Sequence, residues 1–265
     1  MNVASIPAQI IDAIGPVLQL SESPQGMTSQ VAVAQTSRGT VLLKRAEGIL
    51  YGGWLANEYR VLSALAAVNM PLAPKPLAFA RVDSGIVPER WLAMDYIQGE
   101  TLEAVLSGEV NADRRTELLR QYGEALARIH ATMIPEALPR PVPNWLDYML
   151  DEAGENLEHY SVDGSPQLLA HLRQAHPAPV AQTVIHGDYS IDNVLVDGNN
   201  IVGIIDWSGG AVGDPRYDVA LGTRPQRVAF ASERDSDLAA FYAGYGGIPL
   251  SQQITDYYIG LYEFY

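Results

Sequence analysis

The residues best suited to chemistry lie in the second half of the chain, in segments 186–193 (HGDYSIDN), 204–207 (IIDW) and 213–220 (GDPRYDVA). Asn193 begins a short predicted strand, and Asp206 follows the strand after it. A hairpin of this length brings the two side chains close together, and carboxylate and amide oxygens are the ligands that Mg²⁺ prefers. The pattern therefore predicts a magnesium site formed by Asn193 and Asp206.

Asp188 follows the end of another predicted strand, near this cation site but separate from it. In phosphoryl transfer, metal ions neutralise the phosphates while a separate Asp orients or deprotonates the acceptor hydroxyl. A single Asp in such a place is more often a turn or cap residue. The whole spacing H-x-D-x-x-x-x-N of His186, Asp188 and Asn193, however, is that of a kinase catalytic loop.

Lys44 lies inside an apolar predicted strand, where an unpaired ammonium group is costly to bury. Glu58 follows 14 residues later on the next predicted helix. We therefore expect Glu58 to pair with Lys44.

The first 95 residues, which must position Lys44, are predicted to be mostly sheet. Ser37-Arg38-Gly39 is a hairpin turn between two runs rich in β-branched residues. The predicted elements are strands over 30–35, 40–45, 77–82 and 90–96 and a helix over 54–68.

Beyond residue 99 the apolar spacing becomes helical, and a few short strands interrupt the helices around the catalytic motif. The predicted helices cover 101–106, 113–132, 145–159, 232–244 and 254–265, and the strands cover 183–186, 194–196 and 201–205. The last helix runs to the final residue without a stop signal, as expected of a chain trimmed at that end.

Composition excludes several classes of protein. The 265 residues include 17 Lys and Arg, 31 Asp and Glu and no Cys, for a net charge of −14. Without Cys there is no disulfide, thiolate metal site or Cys nucleophile, and the negative charge argues against a nucleic-acid partner. No apolar stretch reaches the about 20 residues that cross a bilayer, and the N-terminus lacks signal-peptide features. We therefore expect a cytoplasmic protein without membrane insertion.

With these motifs in order, the chain resembles the aminoglycoside phosphotransferase and choline kinase family of small-molecule kinases. The resemblance covers nearly the whole chain. It implies an α+β, two-lobed protein-kinase-like fold, with a small N-terminal antiparallel-sheet lobe and a larger, mainly helical C-terminal lobe. The nucleotide-binding lobe is expected over 1–95, a hinge over 95–99, and the catalytic and substrate-binding lobe over 100–265.

The resemblance also implies roles for single residues. Asp188 becomes the catalytic base, while Asn193 and Asp206 hold Mg²⁺. Lys44 becomes the ligand of the α- and β-phosphates of the nucleotide, and Glu58 orients it.

Other nucleotide contacts follow from position along the chain. The resemblance places the backbone of Asp95 and Ile97 against the adenine edge, with Met94 beside it. Recognition through the backbone leaves both ATP and GTP open as the cofactor. The loop between the first two strands takes the place of a phosphate-covering loop, which assigns nucleotide contacts to Gly26, Thr28 and Ser29.

The acceptor is expected beside Asp188, against segment 144–160 and the last helix. Residues 100–265 hold all of the excess negative charge, with 10 Lys and Arg against 24 Asp and Glu. Asp147, Asp151 and Glu155 form an acidic stripe at helical spacing, where like charges repel one another. Such a stripe is typical either of a solvated surface or of a site for a cationic substrate, which Trp145, Tyr148 and Tyr160 would favour by cation–π contact.

Together these features predict an ATP-dependent phosphotransferase that moves the γ-phosphate to a hydroxyl of a small molecule, such as an aminoglycoside. Choline, homoserine, methylthio-sugars, fructosamines and macrolides are alternative acceptors. A non-catalytic nucleotide-binding regulator usually loses one of the four residues Lys44, Asp188, Asn193 and Asp206, and all are present. A two-metal hydrolase leaves Lys44 and the sheet unexplained. The expected partners are the nucleotide and the acceptor, and the sequence does not indicate an oligomeric state.

Overall fold

A computed structural model describes residues 1–23, 28–83, 86–108, 111–142, 144–231 and 235–265. The chain forms two compact units. The first contains Met1–Gln98 together with two later segments, Pro135–Ala137 and Gly203–Gly209. The second contains Gly99–Ile134, Leu138–Val202 and Gly210–Tyr265. The two short later segments of the first unit are absent from the predicted division into consecutive lobes.

The first unit is built on a five-stranded antiparallel sheet with the strand order β1-β2-β3-β5-β4. Burial alternates along β2 because successive side chains of a strand point to opposite faces. Gly39 has a φ of +130°, which allows the tight turn predicted between β2 and β3. The strands are β1 (Val17–Ser23), β2 (Gln30–Thr36), β3 (Gly39–Glu47), β4 (Pro76–Val82) and β5 (Glu89–Asp95).

Two helices accompany this sheet, α1 (Ala8–Ile14) and α2 (Ile49–Ala67). Buried residues of α1, Ile10 and Ile14, share a core with sheet residues such as Leu43 and Trp91. The apolar spacing predicts neither α1 nor the first five residues of α2. Gly52 and Gly53 weaken the helical signal in that first turn.

The second unit is mainly helical. Side-chain caps define several helix starts, as where Asn144 accepts a hydrogen bond from the amide of Asp147. The helices are α3 (Leu102–Ser107), α4 (Ala112–His130), α5 (Trp145–His159), α6 (Pro166–Gln174), α7 (Pro215–Gly222), α8 (Asp235–Tyr245) and α9 (Gln252–Tyr262). Helix α5 has the predicted bounds, whereas α9 ends three residues before the predicted end.

Short strands hold the segment that carries the catalytic motif. They are β6 (Glu100–Thr101), β7 (Thr183–Ile185), β8 (Val194–Asp197), β9 (Asn200–Ile204) and β10 (Ala211–Gly213). Strand β7 pairs with β10, and β8 lies between β6 and β9. The loop 186–193 is therefore fixed at both ends by strand pairing. Antiparallel sheet followed by helices confirms the predicted α+β class.

Among the described residues, no helix combines the length and apolar character that crossing a membrane requires.

Candidate active site

In the first unit, Lys44 on β3 and Glu58 on α2 form a buried ion pair, as predicted. Lys44 Nζ lies 2.7 Å and 2.9 Å from the two carboxylate oxygens of Glu58. The residues are only 7% and 2% exposed. Burial by itself lowers the pKa of Lys44, but the carboxylates of Glu58 and Asp206 raise it well above its usual value. Lys44 is therefore a permanent cation.

Asp206 is the third member of this cluster, and the sequence does not predict its contact with Lys44. Its Oδ1 lies 3.3 Å from Lys44 Nζ, while 48% of its side chain is exposed. Asp206 has a φ of +65°, a conformation that a residue with a Cβ adopts at a cost. The segment is held by Asn57 Nδ2, which donates to Ser208 O at 2.7 Å, and by Trp207 Nε1, which donates to Ile204 O at 2.8 Å.

In the second unit, Asp188 and Asn193 lie together at the two ends of the catalytic loop. Asn193 Nδ2 donates to the carbonyl oxygen of Asp188 at 2.9 Å and to its Oδ2 at 3.0 Å. The hydroxyl of Tyr262 on α9 donates to Asp188 Oδ1 at 3.0 Å. Asn193 Nδ2 is thus committed to Asp188, which leaves the amide oxygen of Asn193 as the atom suited to a cation.

Asp218 on α7 holds the backbone of this loop. Its carboxylate accepts hydrogen bonds from the amides of His186 at 2.6 Å and Gly187 at 2.8 Å, and it is fully buried. Gly187 has a φ of +83°, which a glycine adopts without strain. His186 Nδ1 in turn accepts from the backbone amide of Asp188 at 3.2 Å and so braces the loop.

Sequence reasoning assigns no role to Asp218, although it lies within the motif 213–220. The ring nitrogens of His130 lie 3.2 Å from Asp218 Oδ2 and 2.9 Å from the Tyr245 hydroxyl. The available sequence signals are an Asp within an apolar helical segment and a His at the end of another helix. Their pairing depends on tertiary packing.

Asp192, a carboxylate of the same loop, has a raised pKa. Partial burial raises the pKa of Asp192 to about 6, and its hydrogen bond and charge interaction with Glu103 on α3 add to the effect. When two carboxyl groups share a hydrogen bond, the state in which one of them is protonated is favoured.

The predicted nucleotide-contact residues lie in and after β5 and in the β1–β2 connection. Met94 is buried in β5, and the amide of Asp95 donates to Lys75 O at 2.9 Å. The predicted adenine contact at Asp95 therefore has to use its carbonyl oxygen. Thr28 is exposed and Ser29 is half-buried. Gly26 lies outside the described residues.

The acidic stripe of Asp147, Asp151 and Glu155 has basic neighbours within its own unit. Asp147 Oδ1 lies 3.3 Å from His176 Nε2, and Asp151 Oδ1 lies 4.0 Å from Arg173 Nη2. These groups line a pocket of about 380 Å³. Glu155 Oε2 lies 3.5 Å from His159 Nε2. The partners Arg173 and His176 lie beyond segment 144–160, which contains the acidic stripe.

Helix α5 also contacts α9 and the residues that follow it. The hydroxyl of Tyr265 donates to Met149 O. Burial raises the pKa of Tyr148, and the carboxylate of Glu152 raises it further; burial, Glu152 and Tyr148 also raise the pKa of Tyr265. Glu152 therefore lies among aromatic side chains beside the helix that carries Tyr262.

A metal site is supported only by donor chemistry. The described residues contain no cluster of three or more His, Asp or Glu side chains with metal-binding geometry. Asp206 supplies a half-exposed carboxylate and Asn193 an amide oxygen, both suited to Mg²⁺. They belong to different units, so their joint role stays a prediction.

Known proteins share both sequence and fold with this chain. The model of the phosphotransferase enzyme family (APH) matches residues 20–256. An aminoglycoside 3'-phosphotransferase of Niallia circulans is 28% identical over 183 residues, which cover 65% of this chain and 68% of that protein. Acyl-CoA dehydrogenase family member 10 of Mus musculus is 25% identical over 224 residues, which cover 78% of this chain but 20% of that protein.

Among solved structures, an aminoglycoside-3'-phosphotransferase of type VIII matches with a TM-score of 0.73 at 21% identity. The match covers 98% of this chain and 100% of the other. This confirms the predicted protein-kinase-like fold. Because the family model spans most of its length, the chain belongs to the phosphotransferase enzyme family.

Proposed function

We propose that this protein transfers the γ-phosphate of ATP to a hydroxyl group of a small molecule, with Asp188 as the base. The observation that carries the proposal is the cluster of Lys44, Glu58 and Asp206. Lys44 is held between a buried carboxylate at 2.7 Å and a half-exposed one at 3.3 Å. A fixed cation beside an accessible carboxylate is the arrangement that aligns a triphosphate.

The charge of this cluster supports a divalent cation. One ammonium group faces two carboxylates, which leaves a net negative charge where phosphates would bind. We assign Mg²⁺ to Asp206 and Asn193; when bound, it would neutralise the phosphates. Lys44 would hold the α- and β-phosphates, and Asp188 would accept the proton of the acceptor hydroxyl.

The nucleotide base is proposed to bind the lobe 1–95 and its hinge 95–99. The carbonyl oxygen of Asp95 and the backbone of Ile97 would contact the adenine edge beside Met94. Gly26, Thr28 and Ser29 would cover the phosphates. Backbone contacts of this kind leave GTP as an alternative donor.

The acceptor is proposed to bind the lobe 100–265 beside Asp188, and a cationic acceptor fits Glu152 better than the acidic stripe. Asp147 and Asp151 already face His176 and Arg173, which reduces their attraction for an amine. Glu152 instead lies near two phenol groups, that of Tyr148, with which it shares a hydrogen bond, and that of Tyr265. Aromatic residues of this kind can also bind an amine by cation–π contact.

The test of activity is a panel of aminoglycoside, choline, homoserine, methylthio-sugar, fructosamine and macrolide acceptors with Mg²⁺ and either ATP or GTP. Asp188→Asn should lower transfer by about 10²- to 10⁴-fold while nucleotide affinity is unchanged. Exposed Asp163→Asn is the matched control. Near-normal transfer by Asp188→Asn contradicts the assignment of the base. Nucleotide binding without any turnover would favour the non-catalytic regulator.

The acceptor surface is tested by two neighbouring substitutions on α5. Glu152→Gln should raise KM for an amine acceptor, and Asp151→Asn, which faces Arg173, should not. The reverse result would assign the acceptor to the acidic stripe. If only neutral acceptors react and neither variant changes their kinetics, the acceptor site is not a cation site.

A further inference from the structure

The hydroxyl of Tyr262 is hydrogen-bonded to a carboxylate oxygen of the proposed catalytic base, Asp188. It donates to Asp188 Oδ1 at 3.0 Å, while Asn193 Nδ2 donates to Oδ2 at 3.0 Å. A hydroxyl that is to be deprotonated by a base must lie within about 2.6–3.2 Å of it. Tyr262 therefore stands in the geometric relation to Asp188 that an acceptor hydroxyl must adopt.

The surroundings keep Tyr262 in this place as a hydrogen-bond donor. The guanidinium carbon of Arg224 lies 4.7 Å from the centre of the Tyr262 ring, so the cation covers one face of the ring. On the same helix, Tyr258 donates to Asp214 Oδ2 at 2.7 Å, which anchors α9 at the start of α7. Burial, together with the charge of Asp188, raises the pKa of Tyr262 to about 12. The phenol is therefore protonated at neutral pH.

We propose that Tyr262 is a positioning residue that occupies Asp188 Oδ1 until an acceptor hydroxyl displaces it, and thereby keeps water from the base. The inference rests on the proposed function, because it requires Asp188 to be the base. The reaction that Tyr262 suppresses is hydrolysis. In that reaction a water oxygen bonds to the γ-phosphorus of ATP, and the bond from this phosphorus to the β,γ-bridging oxygen breaks. The proton of the water passes to Asp188, and ADP and inorganic phosphate leave.

The test measures phosphate release from Mg-ATP by the full chain without any acceptor. Tyr262→Phe removes the hydroxyl and keeps the ring under Arg224. A hydrogen bond to a charged group is worth enough that its loss should raise hydrolysis about tenfold. Tyr257→Phe is the matched control: Tyr257 is on the same helix, and its hydroxyl donates to Leu172 O. The control should hydrolyse ATP at the wild-type rate.

A gain in rate separates this role from a structural one, since a damaged fold lowers every rate. The double variant Asp188→Asn with Tyr262→Phe should return hydrolysis to the level of Asp188→Asn alone. Equal hydrolysis by the Tyr262 and Tyr257 variants overturns the inference, as does a gain that persists in the double variant. If Asp188→Asn lowers transfer as expected, such a result leaves the proposed function intact. If Asp188→Asn changes neither transfer nor hydrolysis, Asp188 is not the base, and this part of the proposed function fails together with the inference.

Discussion

At the scale of single residues, Lys44 is a buried cation that depends on its carboxylate partners. Its ammonium group has three carboxylate oxygens within 3.3 Å, two from Glu58 and one from Asp206. Glu58 is also hydrogen-bonded by the backbone of Trp207. Removing one partner of a buried ion pair destabilises the folded state, because the remaining charge is buried without a counterion. Removing both partners avoids this penalty.

Lys44→Met should therefore lower the free energy of unfolding by about 3–5 kcal/mol, because it leaves the Glu58 carboxylate buried without its cation. The double variant with Glu58→Leu should recover much of this loss, although both proteins should be inactive. Denaturant unfolding measures the two effects. Equal stability of the single and double variants would show that the ion pair does not govern the burial of Glu58.

The raised pKa of Asp192 predicts that the free energy of unfolding depends on pH. Its pKa is raised to about 6, above the about 3.9 of an unperturbed Asp, so the folded state binds its proton more tightly than the unfolded state. Its contribution is full below the unfolded pKa and is lost as the pH rises through about 6. Asp192→Asn should therefore gain stability relative to the wild type as the pH rises from 4 to about 7.

Unfolding curves across this pH range check the Asp192 prediction, with exposed Asp163→Asn as the control. A difference in stability between the wild type and Asp192→Asn that stays constant from pH 4 to about 7 would show that this carboxyl is not perturbed.

At the scale of elements, α4 and α8 pack so closely that two glycines are required. A Cβ on Gly123 of α4 would lie 2.0 Å from Phe241 O, and one on Gly244 of α8 would lie 1.8 Å from Arg120 O. Backbone atoms cannot yield to such a contact. The helices therefore meet backbone to backbone, and this packing places Tyr245 against His130.

Gly123→Ala should lower the free energy of unfolding by about 1–3 kcal/mol, because overpacking outweighs the helix propensity of Ala. Gly154→Ala in α5 is the matched control, since its nearest neighbour at 3.1 Å is the end of the flexible Arg173 side chain. Thermal or denaturant unfolding compares them. If both variants are equally stable, the close approach of α4 and α8 is not a constraint.

Sequence reasoning finds those elements whose signals are local. Helix α5 has a cap, Asn144, and a long apolar face, so its predicted bounds match the structure. The apolar spacing does not predict α6 and α7, although both have a capping side chain and a proline in the first turn. The spacing of Lys44 and Glu58 is also local, and the pair was predicted.

Long-range contacts account for what the sequence does not reveal. Asp218 lies 32 residues from His186 along the chain, and nothing at either position indicates their hydrogen bond. The partners of Asp147 and Asp151 come from α6 and the residues that follow it, beyond the segment that defined the acidic stripe. Which carboxylates of α5 face a basic side chain therefore follows only from tertiary packing.

For the molecule as a whole, ligand binding should be visible as stability. A ligand at 100 times its Kd stabilises the folded state by about 2.7 kcal/mol. For a chain of this size that corresponds to a rise in Tm of about 5–10 °C. Mg-ATP should produce such a shift in the wild type and in the control Asp163→Asn.

Asp206→Asn should reduce this thermal shift, because it removes the charge proposed to bind Mg²⁺. Asn is the appropriate replacement, since it tolerates the positive φ of this position better than most residues. An unchanged shift with Mg-ATP in Asp206→Asn would contradict the metal assignment.

The inclusion of residues 203–209 in the first unit has a consequence for biosynthesis. When the ribosome has made residues 1–98, the segment that carries Asp206 and Trp207 does not yet exist. At about 5–20 residues per second, it follows roughly 5–20 seconds later. Until then helix α2 exposes the surface that this segment covers, and the carboxylate of Glu58 lacks its backbone donor from Trp207. The N-terminal part of the chain therefore completes its structure only after most of the second unit has been translated.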